Sequence, residues 1–274
     1  YVDCNATHPG DGSKSRPFRT ISQAAFVAQA GDQVLVAPGV YREEVSPRWA
    51  GTKDAPIVYR SMEPRAAVIT GAEPVKNWTH FQEDVWMVTI PNDAFGNYNP
   101  YTTLVWGDWL DQIVPCHTGD VFLGEKSLYE QDSLEKVLHP VEDESSWDKE
   151  FTKHTWYTAQ SEDGESTLIY ANFQGKNPNL EDVEITYRPH CFYPAQEHVN
   201  YITLTGFVVT KAATQWAPPT ALQDGMIGPH WSKGWVIENC EVSNSKCSGI
   251  SLGKYLQQGN DNKWSHYKYK DGTQ

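Results

Sequence analysis

Leu204-Thr205-Gly206-Phe207-Val208-Val209 returns 33 residues later as Ile237-Glu238-Asn239-Cys240-Glu241-Val242, in the same order of apolar residue, polar residue, Gly or Asn, and closing Val. Gly or Asn in the third position admits a positive φ, and so a sharp bend between two short strands. Short strands, a bend of this kind and a fixed repeat length are what a parallel β-helix needs. In that fold each turn of chain buries its inward residues only against the next, so several turns and a cap at the open end are required. Short apolar runs with Gly also occur in sandwiches, and the echo alone leaves that fold open. A further strand is expected at SGISLG (248–253).

The same short rhythm is present at the N-terminus. Thr20 with Gln23 makes a capping-box pattern ahead of Ile21, Ala24, Ala25 and Ala28, with Gly31 beyond, which predicts a helix of about three turns that can serve as the cap. After it come Gln33–Val45 with a Pro38-Gly39 turn, then IVYR (57–60) and AVITG (67–71), read as strands joined by turns. Between Gly71 and Arg188 the texture changes to longer alternating, aromatic-rich runs: VWMVTI, TLVWGDWL, VFLG, HTWYTA, STLIYANF and VEITYR. The expected organisation is therefore 1–72 as cap and first coils, 73–188 as an inserted all-β unit, and 189–274 as further coils. The acidic stretch SLEKVLHPVEDESSWDKEF reads as a solvated loop or short surface helix.

The chain has 274 residues, 39% hydrophobic, and a formal net charge of −13, enough to bury a core and the wrong sign for phosphate backbones or anionic membranes. No apolar run approaches the roughly 18 residues of a membrane span, and YVDCNATHPG is not a signal peptide. The compartment is not fixed by this, with the cytoplasm favoured over secretion. Cys4, Cys116, Cys191, Cys240 and Cys247 contain no C-x-x-C pair, which argues against a disulfide framework or a zinc site and reads as buried thiols. The nine His show no ligand spacing, so neither metal nor cofactor is expected. Asn5-Ala6-Thr7 and Asn77-Trp78-Thr79 match the glycosylation acceptor, a pattern frequent by chance.

DGSKSRPFRTISQAAFVAQAGDQVLVAPGVYREEV resembles the first coil of right-handed β-helix carbohydrate enzymes. NPYTTLVWGDWL, IYANFQGKNPN, CFYP, YITLTGFVVTKAATQWAPPTA and IGPHWSKGWVIENCEVSNSKCSGISLGK together resemble glycoside hydrolase family 120, the β-xylosidases, in order over most of the chain. The resemblance implies an all-β fold, a right-handed parallel β-helix interrupted by a β-sandwich. It also implies release of xylose from xylo-oligosaccharides with retention. The family's catalytic Asp and Glu lie on later coils, so the expectation is a fragment whose partner is the C-terminal remainder of the same protein, with no catalytic residue of its own. Homo-oligomerisation is left open.

Retaining hydrolysis needs two carboxyl groups about 5 to 5.5 Å apart. Glu43 with Glu44, Asp108 with Asp111, and Glu238 with Glu241 are the sequence candidates, and each reads better as solvated surface charge. Substrate contacts are expected at Trp109, which by the resemblance sits at the pocket, at Trp216 in the proline-broken loop Thr214–Thr220, and at Lys254 after SGISL. A pectin-degrading lyase or hydrolase on the same fold is a rival, weakened by the acidic charge and the lack of N-T-D, G-H-G and R-I-K. A non-catalytic carbohydrate-binding or adhesion β-helix is another.

Overall fold

The computed structural model describes residues 1–105, 114–216 and 225–252. In chain order the elements are α1 (Ile21–Val27), β1 (Gln33–Val36), β2 (Gly39–Arg42), β3 (Ile57–Ser61), β4 (Ala67–Thr70), β5 (Ala72–Pro74), β6 (Thr79–Gln82) and β7 (Val85–Pro91). Then follow β8 (Val121–Leu123), β9 (Lys126–Ser127), β10 (Tyr129–Glu130), α2 (Leu134–Leu138), β11 (Thr155–Gln160), β12 (Ser166–Asn172) and β13 (Val183–Thr186). The last are β14 (Ile202–Thr205), β15 (Val208–Ala212), β16 (Val236–Glu238) and β17 (Glu241–Ser245). Strand dominates and the helices are short, so the all-β class holds. Contacts divide the chain into two units: Tyr1–Gly71 with the chain from Arg188 on, and the described residues between Ala72 and Tyr187.

In the first unit every pass of the chain gives one strand to each of two parallel ladders, β1-β3-β14-β16 and β2-β4-β15-β17. The 33-residue echo is the register between the last two passes: Leu204 lies against Ile237 and Val209 against Val242. The inward rows are continuous. Val34, Tyr59, Leu204 and Ile237 follow one another across the first ladder, and Tyr41, Ile69, Val209 and Val242 across the second. A third line of parallel bridges, Val45, Phe192, Ile227 and Ile250, closes the core on its remaining side. It never widens into strands. Pro47, Pro194 and Pro229 stand two residues after the first three bridging residues and remove the N–H that would extend them. That is why SGISLG, expected as a strand, contributes a single bridge at Ile250.

Helix α1 buries Ile21, Ala24 and Ala25 in this core and carries the expected capping box, Thr20 Oγ1 accepting from Gln23 N and Gln23 Oε1 from Thr20 N. It is shorter than expected. The chain turns extended at Ala28, and Gln29–Asp32 form a turn in which Asp32 donates to Gln29 O and accepts from Gln29 N. The free thiols also differ from expectation: Cys191 is buried, while Cys4, Cys116, Cys240 and Cys247 are only partly covered. Burial pushes the Cys191 thiol far above its ordinary range.

The second unit has a five-stranded sheet, β10-β11-β12-β7-β6, and a four-stranded antiparallel sheet, β5-β13-β8-β9. Both feed one core: Val88, Ile90, Trp156, Ile169 and Ala171 from the first sheet, Val121, Val183 and Ile185 from the second. Tyr101 meets Trp156 edge-on at 5.7 Å and donates its hydroxyl to Asp120 O, 2.8 Å away. The acidic stretch forms α2 and a 3-10 turn at Lys149–Lys153, and it leaves Val141 and Trp147 exposed.

The second unit is spliced in where Arg188 N donates to Gly71 O at 3.1 Å, while Gly71 N donates to Thr210 O at 3.1 Å. A Cβ on Gly71 would lie 2.6 Å from Lys211 O and 3.1 Å from Arg188 O, so glycine is imposed by backbone on both sides. Gly71→Ala is expected to cost about 1–3 kcal/mol, as overpacking against immobile backbone does. Urea denaturation checks it, and an unchanged midpoint would mean the splice has slack.

Candidate functional site

Between the second ladder and the third line of bridges the chain turns a corner, and in the first unit its long excursions start there. The chain leaves the first unit after Gly71 and returns at Arg188, and one pass later β15 ends at Ala212 and the Ala213 N–H donates to Arg188 O at 2.9 Å. The corner is tied down by hydroxyls. Thr210 Oγ1 and Ser243 Oγ are 3.0 Å apart, Thr214 Oγ1 and Ser245 Oγ 2.7 Å, and Cys247 N donates to Thr214 Oγ1 at 2.8 Å. Lys211 and Asn244, each standing between the paired residues Thr210 with Ser243 and Ala212 with Ser245, both take a left-handed φ, 57° and 55°, and Lys211 is buried.

Beside this corner three rings stack. His190 lies on Tyr193 at 4.3 Å and 14°, and Tyr193 on His230 at 5.2 Å and 27°. Glu44 Oε1 accepts from His190 Nδ1 at 3.0 Å, and Pro194 O accepts from His230 Nδ1 at 2.7 Å. A carbonyl only accepts, so His230 carries hydrogen on Nδ1 and its Nε2 is the acceptor when the ring is neutral. Gly228 makes room for the stack: a Cβ there would fall 2.8 Å from the Tyr193 ring. His230 and Trp231 take left-handed φ values of 46° and 59° in succession, a costly conformation that clusters at ligand sites. Trp231 Nε1 and Ser251 Oγ are buried with no partner among the described residues. An aromatic wall with polar edges suits a sugar, whose C–H face stacks while its hydroxyls hydrogen bond.

Of the residues the sequence put forward, Trp216 is half-buried on the corner loop, its N–H donating to Gln215 Oε1 at 3.0 Å. Trp109, Lys254 and the pair Asp108 and Asp111 lie outside the described residues. Glu238 and Glu241 are exposed, as expected of surface charge. Glu43 is not: its carboxylate accepts from Ile21 N at 2.7 Å, from Ser22 N at 2.8 Å and from the Ser22 hydroxyl, closing the N-terminus of α1. Unsatisfied N–H groups at a helix start attract a carboxylate from any distance in sequence, and the 21-residue separation hid this one. Glu43→Ala is expected to cost about 1–2 kcal/mol in a denaturant titration, with Glu238→Ala within about 0.5 kcal/mol as the control. Equal effects would remove Glu43 from the cap.

The stack itself was missed because His190, Tyr193 and His230 share no spacing; only the third line of bridges brings them level. Two buried carboxylates of the second unit, Asp120 and Glu184, were also passed over. Asp120 Oδ1 accepts from Ser127 Oγ at 2.7 Å and from Val121 N at 3.1 Å, the compensation a buried carboxylate requires. Among the described residues no group of three or more His, Cys, Asp or Glu is placed to hold a metal ion.

Residues 75–185 match the family described as glycoside hydrolase 120, insertion domain. A solved structure described as the complex of XylC with xylose superposes over 95% of this chain with a TM-score of 0.85 and 43% sequence identity. The second unit carries the glycoside hydrolase 120 insertion domain. It spans 42% of the length of XylC, less than half. Residues 4–49 match a second family, described as a protein of unknown function, DUF1565. The uncharacterized protein YwoF of Bacillus subtilis (strain 168) is 38% identical over 77 residues, 28% of this chain and 16% of its own length. The family match lies within the second unit, whereas the likeness to XylC covers 95% of the chain.

Proposed function

We propose that this chain is the N-terminal part of a retaining β-xylosidase that releases xylose from xylo-oligosaccharides. The observation that carries the reading is the likeness to XylC, solved with xylose, at 43% identity over 95% of this chain. On this reading residues 1–72 and 189–274 form a right-handed parallel β-helix and 73–188 a β-sandwich inserted in it, which the two parallel ladders and the splice at Gly71 and Arg188 support. Trp109, Trp216 and Lys254 contact the sugar, and the His190–Tyr193–His230 stack supports that face. The substrate and the C-terminal remainder of the same protein are the partners, and no cofactor takes part.

The chemistry is a double displacement. A carboxylate attacks the anomeric carbon while a carboxylic acid protonates the leaving oxygen; the second group then deprotonates the water that releases the sugar. We place both groups beyond Gln274. In support, Glu43 is committed to α1, Glu44 to His190, and Glu238 and Glu241 to exposed positions of the outer ladders. The same commitment favours one other reading, a non-catalytic carbohydrate-binding module.

Proton NMR of the natural gene product acting on an aryl β-xyloside separates these outcomes. β-Xylose is expected first, with the α anomer following by mutarotation. First appearance of α-xylose would make the enzyme inverting, and binding without release would favour the binding module.

A further inference from the structure

On the other side of the first unit, where β3 turns into β4, β14 into β15 and β16 into β17, lies a cavity of about 290 Å³ lined by Arg60, Ser61, Pro64, Arg65, Thr205, Gly206 and Asn239. Three of its lining residues, Arg65, Gly206 and Asn239, take left-handed φ values of 59°, 80° and 55° at successive turns, so the bends of three passes open one recess. Its chemistry runs against that of the chain. In a protein of net charge −13 the lining has two guanidinium groups and no carboxylate. Neither Arg60 nor Arg65 has an ion pair among the described residues, although Glu238 stands on the neighbouring strand, paired with Thr205. Thr205 is 2% exposed and lines the cavity, and its hydroxyl has no hydrogen-bond partner among the described residues; nor has the Asn239 carboxamide. Ser61 Oγ is already engaged, donating to Glu63 O at 2.5 Å and accepting from Ala67 N at 3.2 Å.

We infer that this recess binds a sugar acid, its carboxylate held by Arg60 and Arg65 and its hydroxyls by Thr205 and Asn239. Guanidinium groups match a planar carboxylate with paired, charge-assisted hydrogen bonds, while a hydroxyl and a carboxamide supply the donors and acceptors that a polyol needs. The volume is at the lower edge of the roughly 300–1,000 Å³ of ligand sites, the size of one monosaccharide. The site is separate from the corner that the neutral sugar of the proposed reaction would use, so it stands or falls independently of that reaction.

The test is titration of the full chain with D-glucuronate, D-glucose and inorganic phosphate at low salt, by calorimetry. Glucuronate is expected to bind about tenfold or more tightly than glucose, and Arg60→Gln and Arg65→Gln each to weaken it by about tenfold or more, the range for hydrogen bonds to a charged group. Both arginines are exposed, so the variants should melt like the parent. Thr205→Val keeps the buried shape and is expected to weaken glucuronate several-fold while leaving phosphate unchanged. Phosphate binding as tight as glucuronate, with Thr205→Val silent, would make this an inorganic anion site and overturn the sugar-acid assignment. Glucuronate binding that ignores both arginine substitutions, or no binding at millimolar concentration, would remove the site altogether.

Discussion

Phe192→Ala is expected to destabilise the first unit by about 3–5 kcal/mol, the cost of deleting a fully buried aromatic side chain that its neighbours cannot refill. Phe192 is 0% exposed and stands midway along the third line of bridges, between Val45 and Ile227. It meets Tyr59 edge-on at 5.0 Å and Trp235 edge-on at 5.9 Å, contacts that reach the first ladder from the opposite side of the core. Those neighbours are held by parallel ladders and cannot collapse inward without breaking register, so most of the cavity should persist. Removal of the ring also undermines Tyr193, the central ring of the His190–Tyr193–His230 stack, so on the proposed reading stability and sugar binding fall together. A urea midpoint measurement checks the first effect. Trp147→Ala, at a residue 92% exposed, should stay within about 0.5 kcal/mol of the parent. A loss below about 1 kcal/mol for Phe192→Ala would mean that the third side of the core is not packed as described.

Local rules carried the sequence reading a long way where they act alone. The capping box at Thr20 and Gln23 started α1 at Ile21, and Leu204 and Ile237 fell into register at the 33-residue spacing of their echo. β-Branched runs bounded by turn residues became β3, β4, β12 and β13 within a residue or two. What failed depended on partners far away in sequence. Around Phe192 and Ile227 the third line of bridges was not legible as strand because single bridges leave no periodicity, and at Ile250 the expected strand is a single bridge. Glu43 looked like surface charge because the helix end that needs it lies on another pass. The aromatic stack joins residues from two passes with nothing in the sequence to pair them, and the arginine recess needs the bends of three. Trp216 was legible as a loop residue from the two prolines that follow it, and its proposed relation to a sugar was read from that loop, whereas that of Trp109 rested on resemblance.

The central claim is that this chain builds scaffold and sugar contacts for a glycosidase whose catalytic carboxylates lie elsewhere in the same protein. Two carboxyl groups in one cleft are indispensable to the double displacement, and loss of either removes most of the rate. On the proposed reading the stacked rings orient the sugar, and the carboxylates that perform the exchange are supplied from elsewhere in the same protein. The expected effect is therefore very large, while the affinity for xylose falls less, because stacking survives without the acid and the nucleophile. The deciding measurement is xylose release from an aryl β-xyloside by the 274-residue chain and by the natural gene product, assayed side by side at equal concentration, with thermal melts to show both are folded. Turnover by the gene product and none by the chain is the predicted result. Turnover by the folded 274-residue chain at a comparable rate would contradict the account, and would direct the search for the acid and nucleophile back to the carboxylates assigned here to structure.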